Sequence, residues 1–157
     1  MKLEDARRDQ YRRLAREQGY KSRAAYKLLE NVRKYQLIKE GDVVLDFGAA
    51  PGGWLQVAAE AVGESGLVVG VDIEPVHVSE PNVVTIQSDV NSPELSVKLE
   101  KVMPRKADVI LSDLSPQVMG TWDLDHYRQI ELTLAAARLT GGFLRKGGNA
   151  MFKVFDG

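Results

Sequence analysis

The residues of this sequence best placed to do chemistry stand at the ends of short apolar runs. Val43-Val44-Leu45-Asp46-Phe47 leads into Gly48-Ala49-Ala50-Pro51-Gly52-Gly53-Trp54, and Leu67 to Val71 ends at Asp72. Val83 to Ile86 is followed by Asp89, and Val109-Ile110-Leu111 runs into Ser112-Asp113-Leu114-Ser115-Pro116. Glycines lack a β-carbon and let the main chain approach a ligand closely, while a helix that follows them offers free N–H groups and its positive end. Asp72, twenty positions after Gly52, is where a carboxylate ending a second strand accepts hydrogen bonds from ribose hydroxyls. The glycine loop by itself is no more than a tight strand-to-helix turn, but with Asp72 and Asp89 in register it predicts a nucleoside site.

The loop also discriminates among nucleosides. A dinucleotide fingerprint needs Gly-x-Gly-x-x-Gly so that pyrophosphate can press onto the backbone; here Ala50 takes the middle glycine position and Pro51 removes an N–H donor just before the helix. Diphosphate binding is disfavoured. Asp89 can accept from an adenine amino group, and a pocket lined by carboxylates suits the sulfonium of S-adenosylmethionine better than the phosphates of NAD.

One further residue breaks its local pattern. Lys153 interrupts the apolar run Ala150-Met151-Phe152-Lys153-Val154-Phe155, where a charge without a partner is costly, so a functional amine is expected there, buried on the fifth strand. Asp113 has a plainer reading as the cap of a turn and Lys27 as part of a solvated helix face, while Trp54 suits core packing as readily as a wall of the pocket. Trp122 and Tyr127 suit either stacking on a base or packing, with packing favoured.

These residues require a scaffold of strands alternating with helices. The runs at 43–47, 67–71, 83–86, 109–111 and 149–155 are short and rich in β-branched residues, as strands covered on both faces are, and the segments at 53–63, 93–103 and 125–139 have the length of crossover helices. The predicted fold is α/β, a doubly wound, mostly parallel, Rossmann-like sheet. Glu74 to Asn82 holds two prolines and is expected to cross over as a loop or short helix. Upstream, 5–18 and 23–35 are helix-favouring, with Ser22 as N-cap and with Ala25, Leu28, Leu29 and Val32 on a buried face that leaves Arg23, Lys27, Lys34 and Tyr26 outside.

Charge divides the chain in two. Of its 21 Lys/Arg and 22 Asp/Glu, residues 1–40 hold 12 and 6, leaving 9 and 16 in residues 41–157. This predicts a basic helical extension (1–40) on an acidic domain (41–157), and a polyanion met through Arg7, Arg8, Arg12, Arg13, Arg16, Lys21 and Arg23. The chain has no Cys and only two His, which excludes disulfides and thiolate nucleophiles and argues against a metal site. With no apolar run of bilayer length and no secretion signal, a cytoplasmic location is expected.

Four segments in one order, Ser22-Arg-Ala-Ala-Tyr-Lys-Leu28, Gly48-Ala-Ala-Pro-Gly-Gly-Trp54, Ser112-Asp-Leu-Ser-Pro116 and Phe152-Lys-Val-Phe-Asp-Gly157, resemble the FtsJ (RrmJ) family of RNA ribose 2′-O-methyltransferases over about residues 20–157. The resemblance implies the S-adenosylmethionine-dependent methyltransferase fold, S-adenosylmethionine as cofactor and RNA as partner. Ribosomal RNA comes first, at a large-subunit uridine, with tRNA and capped mRNA as substrates of other members. It carries Lys27, Asp113 and Lys153 onto the first three members of the family's Lys-Asp-Lys-Glu catalytic set, and cofactor contacts onto Gly52, Gly53, Trp54, Asp72, Asp89 and Asp113. The fourth member lies, in the family, on a strand beyond the second lysine, and the sequence ends at Gly157 before the hairpin that completes the sheet. Other readings stay open: a non-catalytic cofactor- or RNA-binding relative or fragment, a nicotinamide oxidoreductase, and a methyltransferase acting on a small molecule or protein.

Overall fold

The run Val43–Phe47 forms β1, and all five of its residues are buried because strands flank it on both sides. β2 (Leu67–Asp72) and β4 (Ala107–Ser112) pair with it in parallel, placing Leu45 opposite Val69 and Ile110. β3 (Val83–Gln87) and β5 (Leu144–Phe152) form the edges, giving the order β3-β2-β1-β4-β5 with every pairing parallel. The structure is a computed structural model and describes residues 19–20, 24–116 and 119–154.

Side chains alternate across the sheet, and each face has its own core. Val44, Val68 and Val109 meet Ala25 and Leu28 of α1 (Ala24–Tyr35) and Leu55, Val57 and Ala58 of α2 (Gly53–Val62) on one face. Leu45, Phe47, Val69 and Ile110 meet Leu95 and Leu99 of α3 (Leu95–Val102) and Ala135 and Ala136 of α4 (Trp122–Phe143) on the other. The chain moves outward from β1 to β3, then returns to lay β4 on β1's free side. The strand order therefore reverses between β1 and β4, where an open α/β sheet leaves a crevice at the carboxyl ends of its strands.

At the opposite end of the sheet Asp108 ties three segments together. Its carboxylate accepts from the Val43 amide at 2.8 Å and pairs with Arg105 at 2.7 Å and Arg145 at 2.6 Å. Burial pushes this carboxyl up, but the Val43 amide and the guanidinium groups of Arg145 and Arg105 outweigh it and hold the group below the ordinary aspartate range.

The expected strands, and the expected helices that fall within the described residues, are present, and the segment after β2 crosses as a loop, one of the two forms expected of it. The differences are informative: the edge strands β3 and β5 are partly exposed rather than covered on both faces. α4 runs on through Gly141 and Gly142 to Phe143 and passes directly into β5, which begins at Leu144 and bulges opposite Ala107 to Val109. β5 ends at Phe152, so Lys153 follows the strand instead of interrupting it. Tyr26 is buried, not on the surface, and meets the Tyr20 ring edge-on at 5.6 Å. Trp122 and Tyr127 do not pack inside; both are exposed, Trp122 stacking on His126 at 4.7 Å and the Tyr127 hydroxyl donating to Glu131 at 2.9 Å. Among the described residues no helix is long and apolar enough to cross a membrane.

Candidate active site

Main-chain bonds continue past the strand ends and fasten the loops of the crevice together. The amides of Gly48 and Ala49 donate to the Val71 carbonyl at 2.8 and 3.1 Å, Asp113 N–H donates to Phe47 at 3.0 Å, and Lys153 N–H donates to Ser112 at 2.8 Å. Gly48 has φ of 79°, in the left-handed region that favours glycine, and its Cα faces the Asp113 main chain. Each loop is thus built on the tip of the neighbouring strand.

These bonds bring Asp113 and Lys153 side by side, with the Lys153 Nζ 3.4 Å from the Asp113 carboxylate. The expectation of a buried amine is not met: the Lys153 side chain is 52% exposed, one residue beyond the end of the strand. Burial pushes the Asp113 carboxyl up, and the Lys153 ammonium opposes that rise.

A cleft of about 460 Å³, within the range of small-molecule sites, opens beside the pair. Asp72, Asp89 and Asp113 line it with Gly48, Ala50, Ile73, Val90, Leu114 and Leu132. Asp72 accepts from the amides of Ala50 and Glu74, each at 2.9 Å, and Asp89 accepts from the Asn91 amide at 2.8 Å. Each carboxylate oxygen has two lone pairs, so both groups keep acceptor capacity for a ligand. A larger hollow of about 610 Å³ lies at the far end of α2, between Glu60, Glu64 and Glu80, and contains none of these residues.

The structure separates the other candidates from the cleft. Gly52, Gly53 and Trp54 are not among its lining residues. Gly52 caps α2 with φ of 113°, and the Trp54 indole turns toward α1, donating to the Ala24 carbonyl at 2.9 Å. Lys27 is exposed on α1, and no ion pair joins it to Asp113 among the described residues. Arg7, Arg8, Arg12, Arg13, Arg16, Lys21 and Arg23, with the helix expected at 5–18 and the Ser22 cap, lie outside the described residues. Among the described residues no group of three His, Cys, Asp or Glu is arranged to hold a metal ion.

Sequence reasoning passed over Asp46. Its side chain is fully buried, and neither carboxylate oxygen has a hydrogen-bond partner. Burial, and then the negative charges of Asp113 and Asp72, push its carboxyl well above the usual aspartate range and disfavour its charged form. The available signal was the one applied to Lys153, a charge inside an apolar run. Four carboxyl groups line the cleft, those of Asp72, Glu74, Asp89 and Asp113, a surround that favours a cation and disfavours phosphate.

Residues 20–157 match the family described as FtsJ-like methyltransferase. A protein of Cenarchaeum symbiosum named Ribosomal RNA large subunit methyltransferase E is 51% identical over 98% of this chain and 77% of its own length. One of the same name from Methanococcus aeolicus is 49% identical over 95% of this chain and 56% of its own length. The chain therefore spans between about half and three quarters of these two relatives. A crystal structure described as a ribosomal RNA methyltransferase of Plasmodium falciparum superposes with a TM-score of 0.80 at 32% identity, covering 88% of this chain and 80% of that one. Aeropyrum pernix fibrillarin, solved with S-adenosylmethionine natively bound, shares the fold with a TM-score of 0.54 at 21% identity, over 74% of this chain and 46% of its own.

Proposed function

We propose, from the premise that this chain belongs to the FtsJ-like methyltransferase family, that it binds S-adenosylmethionine and methylates a ribose 2′-hydroxyl of RNA, with ribosomal RNA as the first substrate. The observation that carries the reading is the ion pair of Lys153 and Asp113 at the edge of a cleft lined by carboxylates. The ribosomal RNA methyltransferase names of the relatives support the choice of RNA.

The cleft fits the cofactor on an observation of its own: Asp46 is a buried carboxyl with no partner, beside the glycine turn. A buried polar group without a bond is costly, and a cation nearby offsets that cost. When bound, S-adenosylmethionine supplies a methyl carbon on a sulfonium, open to in-line displacement. Asp72 would accept from ribose hydroxyls and Asp89 from the adenine amino group, Asp113 would favour the positive charge, and Asp46 could ionise in response to it.

The attacking hydroxyl must be held close to that carbon, and positioning of this kind is worth several kcal/mol of a barrier. Lys153, exposed and beside Asp113, is able to meet an incoming RNA ribose and to orient its hydroxyl by donating a hydrogen bond. Asp113 in turn fixes the ammonium. Lys27 presents a second positive charge from α1, and the arginines of the N-terminal arm meet phosphates.

Two measurements test the proposal. Calorimetric titration with S-adenosylmethionine examines the cofactor half, and incorporation of labelled methyl groups into alkali-resistant linkages of ribosomal RNA examines the transfer half. Binding followed by transfer is expected; a folded chain that takes up no S-adenosylmethionine overturns the reading.

A further inference from the structure

Lys153 stands one residue past the end of β5, where a sheet no longer dictates main-chain position, yet both of its main-chain polar groups are held. Its N–H donates to the Ser112 carbonyl of β4 at 2.8 Å. Its carbonyl accepts from the Gln129 side-chain amide, Nε2, at 3.2 Å, across the space between α4 and the sheet. A carbonyl oxygen only accepts, so this bond also fixes which end of the Gln129 carboxamide faces Lys153.

Gln129 is 1% exposed, on a helix face that is otherwise apolar here, with Leu132, Ala135 and Ala136. An amide in that position is costly where its bonds are not made; here the Nε2 end is bonded, while Oε1 has no hydrogen-bond partner. Its Nε2 also reaches Thr133 Oγ1 at 3.3 Å, and the Thr133 hydroxyl donates back to the Gln129 carbonyl at 2.9 Å, so the side chain is braced within its own helix. One turn earlier Asp125, also buried, accepts from the amides of Met119 at 2.9 Å and Gly120 at 3.2 Å, in the loop that follows Asp113. The buried polar residues of α4 thus spend their bonds on the main chain of the two segments that bear the ion pair.

We infer that Gln129 is a positioning residue for Lys153: its side-chain amide holds the lysine's main chain so that the ammonium stands at Asp113, ready to meet the substrate hydroxyl. The inference rests on the methyltransferase reading for its consequence in catalysis, and on geometry alone for the placement of the ammonium. Asp113 and Lys153 are the charged groups involved, and the negative charge of Asp113 also raises the buried Asp46 carboxyl.

The test uses Gln129→Met, which keeps the volume and removes the donor, and Gln129→Glu, whose carboxyl donates only when protonated. The placement is read without any turnover, from the titration of the Asp113 carboxyl followed by carbon NMR. With Lys153 displaced, Asp113 loses the charge that opposes its rise, so its midpoint moves upward in Gln129→Met, toward that of Lys153→Met. Turnover is read in parallel: kcat for methyl transfer falls at least about tenfold in Gln129→Met while KM for RNA and the S-adenosylmethionine Kd stay within about twofold. Gln129→Glu regains activity relative to wild type as pH is lowered, and Gln129→Met does not.

An Asp113 midpoint that does not move in folded Gln129→Met overturns the inference, as does unchanged kcat. A wild-type chain that transfers no methyl group while the Asp113 midpoint still moves counts against the methyltransferase reading and leaves the placement standing. Should Gln129→Met not fold, the pH-dependent Asp113 shift in Gln129→Glu decides.

Discussion

A β-carbon placed on Gly48 would stand 2.7 Å from the main-chain oxygen of Asp113, closer than carbon and oxygen approach without something moving. Gly48 also has φ of 79°, where a residue with a side chain is strained by about 1–2 kcal/mol. The contact is backbone on both sides, and Asp113 is itself bonded to Phe47, so neither loop yields without shifting the ion pair. Gly48→Ala is expected to lose at least about 2 kcal/mol in urea denaturation and to weaken S-adenosylmethionine binding in calorimetry. Unchanged stability and affinity would show that the loop is looser than this contact implies.

Lys153→Met keeps the length of the side chain and removes the ammonium. Because the lysine is 52% exposed, little stability rests on it, and Tm is expected to stay within about two degrees of wild type. Methyl transfer is expected to fall at least about 100-fold, the scale of a positioned group acting on the reacting proton, while the S-adenosylmethionine Kd changes less than about threefold. Loss of cofactor affinity instead of transfer would assign the lysine to the wrong half of the reaction.

The strand-tip residues were readable because each is marked by its neighbours in the chain: Asp72, Asp89 and Asp113 follow apolar runs, and the glycines precede a helix. Asp46 carries the same mark as Lys153, a charge inside an apolar run, but what sets it apart appears only when burial and the carboxylates of Asp113 and Asp72 surround it. Gln129 reads as an ordinary helix surface residue, and its importance comes from a carbonyl 24 positions away. Trp54 follows the glycines and so resembles a pocket wall, but packing of α1 on α2 turns its indole to Ala24. The helix expected at 125–139 and the strand expected at 149–155 leave residues 140–148 unassigned, and there α4 passes straight into a bulged β5.

The basic arm makes a prediction about salt. Neutralising Arg12, Arg13 and Arg16 removes three of the charges proposed to meet phosphates, and each phosphate neutralised contributes about 0.7–0.9 to the slope of log affinity against log salt. The triple alanine variant is expected to bind RNA more weakly with a slope reduced by about 2, measured by filter binding across a salt series. Affinity and slope equal to wild type would remove the arm from the RNA interface.

Asp108 holds the amino-terminal ends of the strands, and its folded carboxyl lies below its unfolded value. A group shifted down stabilises the fold above its unfolded pKa and loses that contribution as pH falls through its folded pKa. Asp108→Ala leaves the Val43 amide without its acceptor while Arg105 and Arg145, each 48% exposed, return to water. The expected loss is about 2 kcal/mol in urea denaturation at pH 7, shrinking as pH falls below the ordinary aspartate range and the wild-type carboxyl takes up its proton. A difference independent of pH would mean that packing, not charge, accounts for it.

Asp46 has the opposite sign. Its folded carboxyl is raised well above its unfolded value, which is about 3.9, so across the window between the two the native state keeps a proton that the unfolded chain has released. Stability therefore falls as pH rises through that window and levels off above the folded pKa. Asp46→Asn replaces the neutral carboxyl with a group of similar size that does not titrate. Its Tm is expected to gain on wild type as pH rises from about 4 toward neutrality, with a smaller slope remaining from Asp113, whose carboxyl is shifted the same way. The same substitution removes the ability to become an anion, so S-adenosylmethionine is expected to bind more weakly even as the protein becomes more stable. A variant with wild-type pH dependence of Tm and undiminished affinity would mean that Asp46 neither holds its proton in the free protein nor answers the charge of the cofactor.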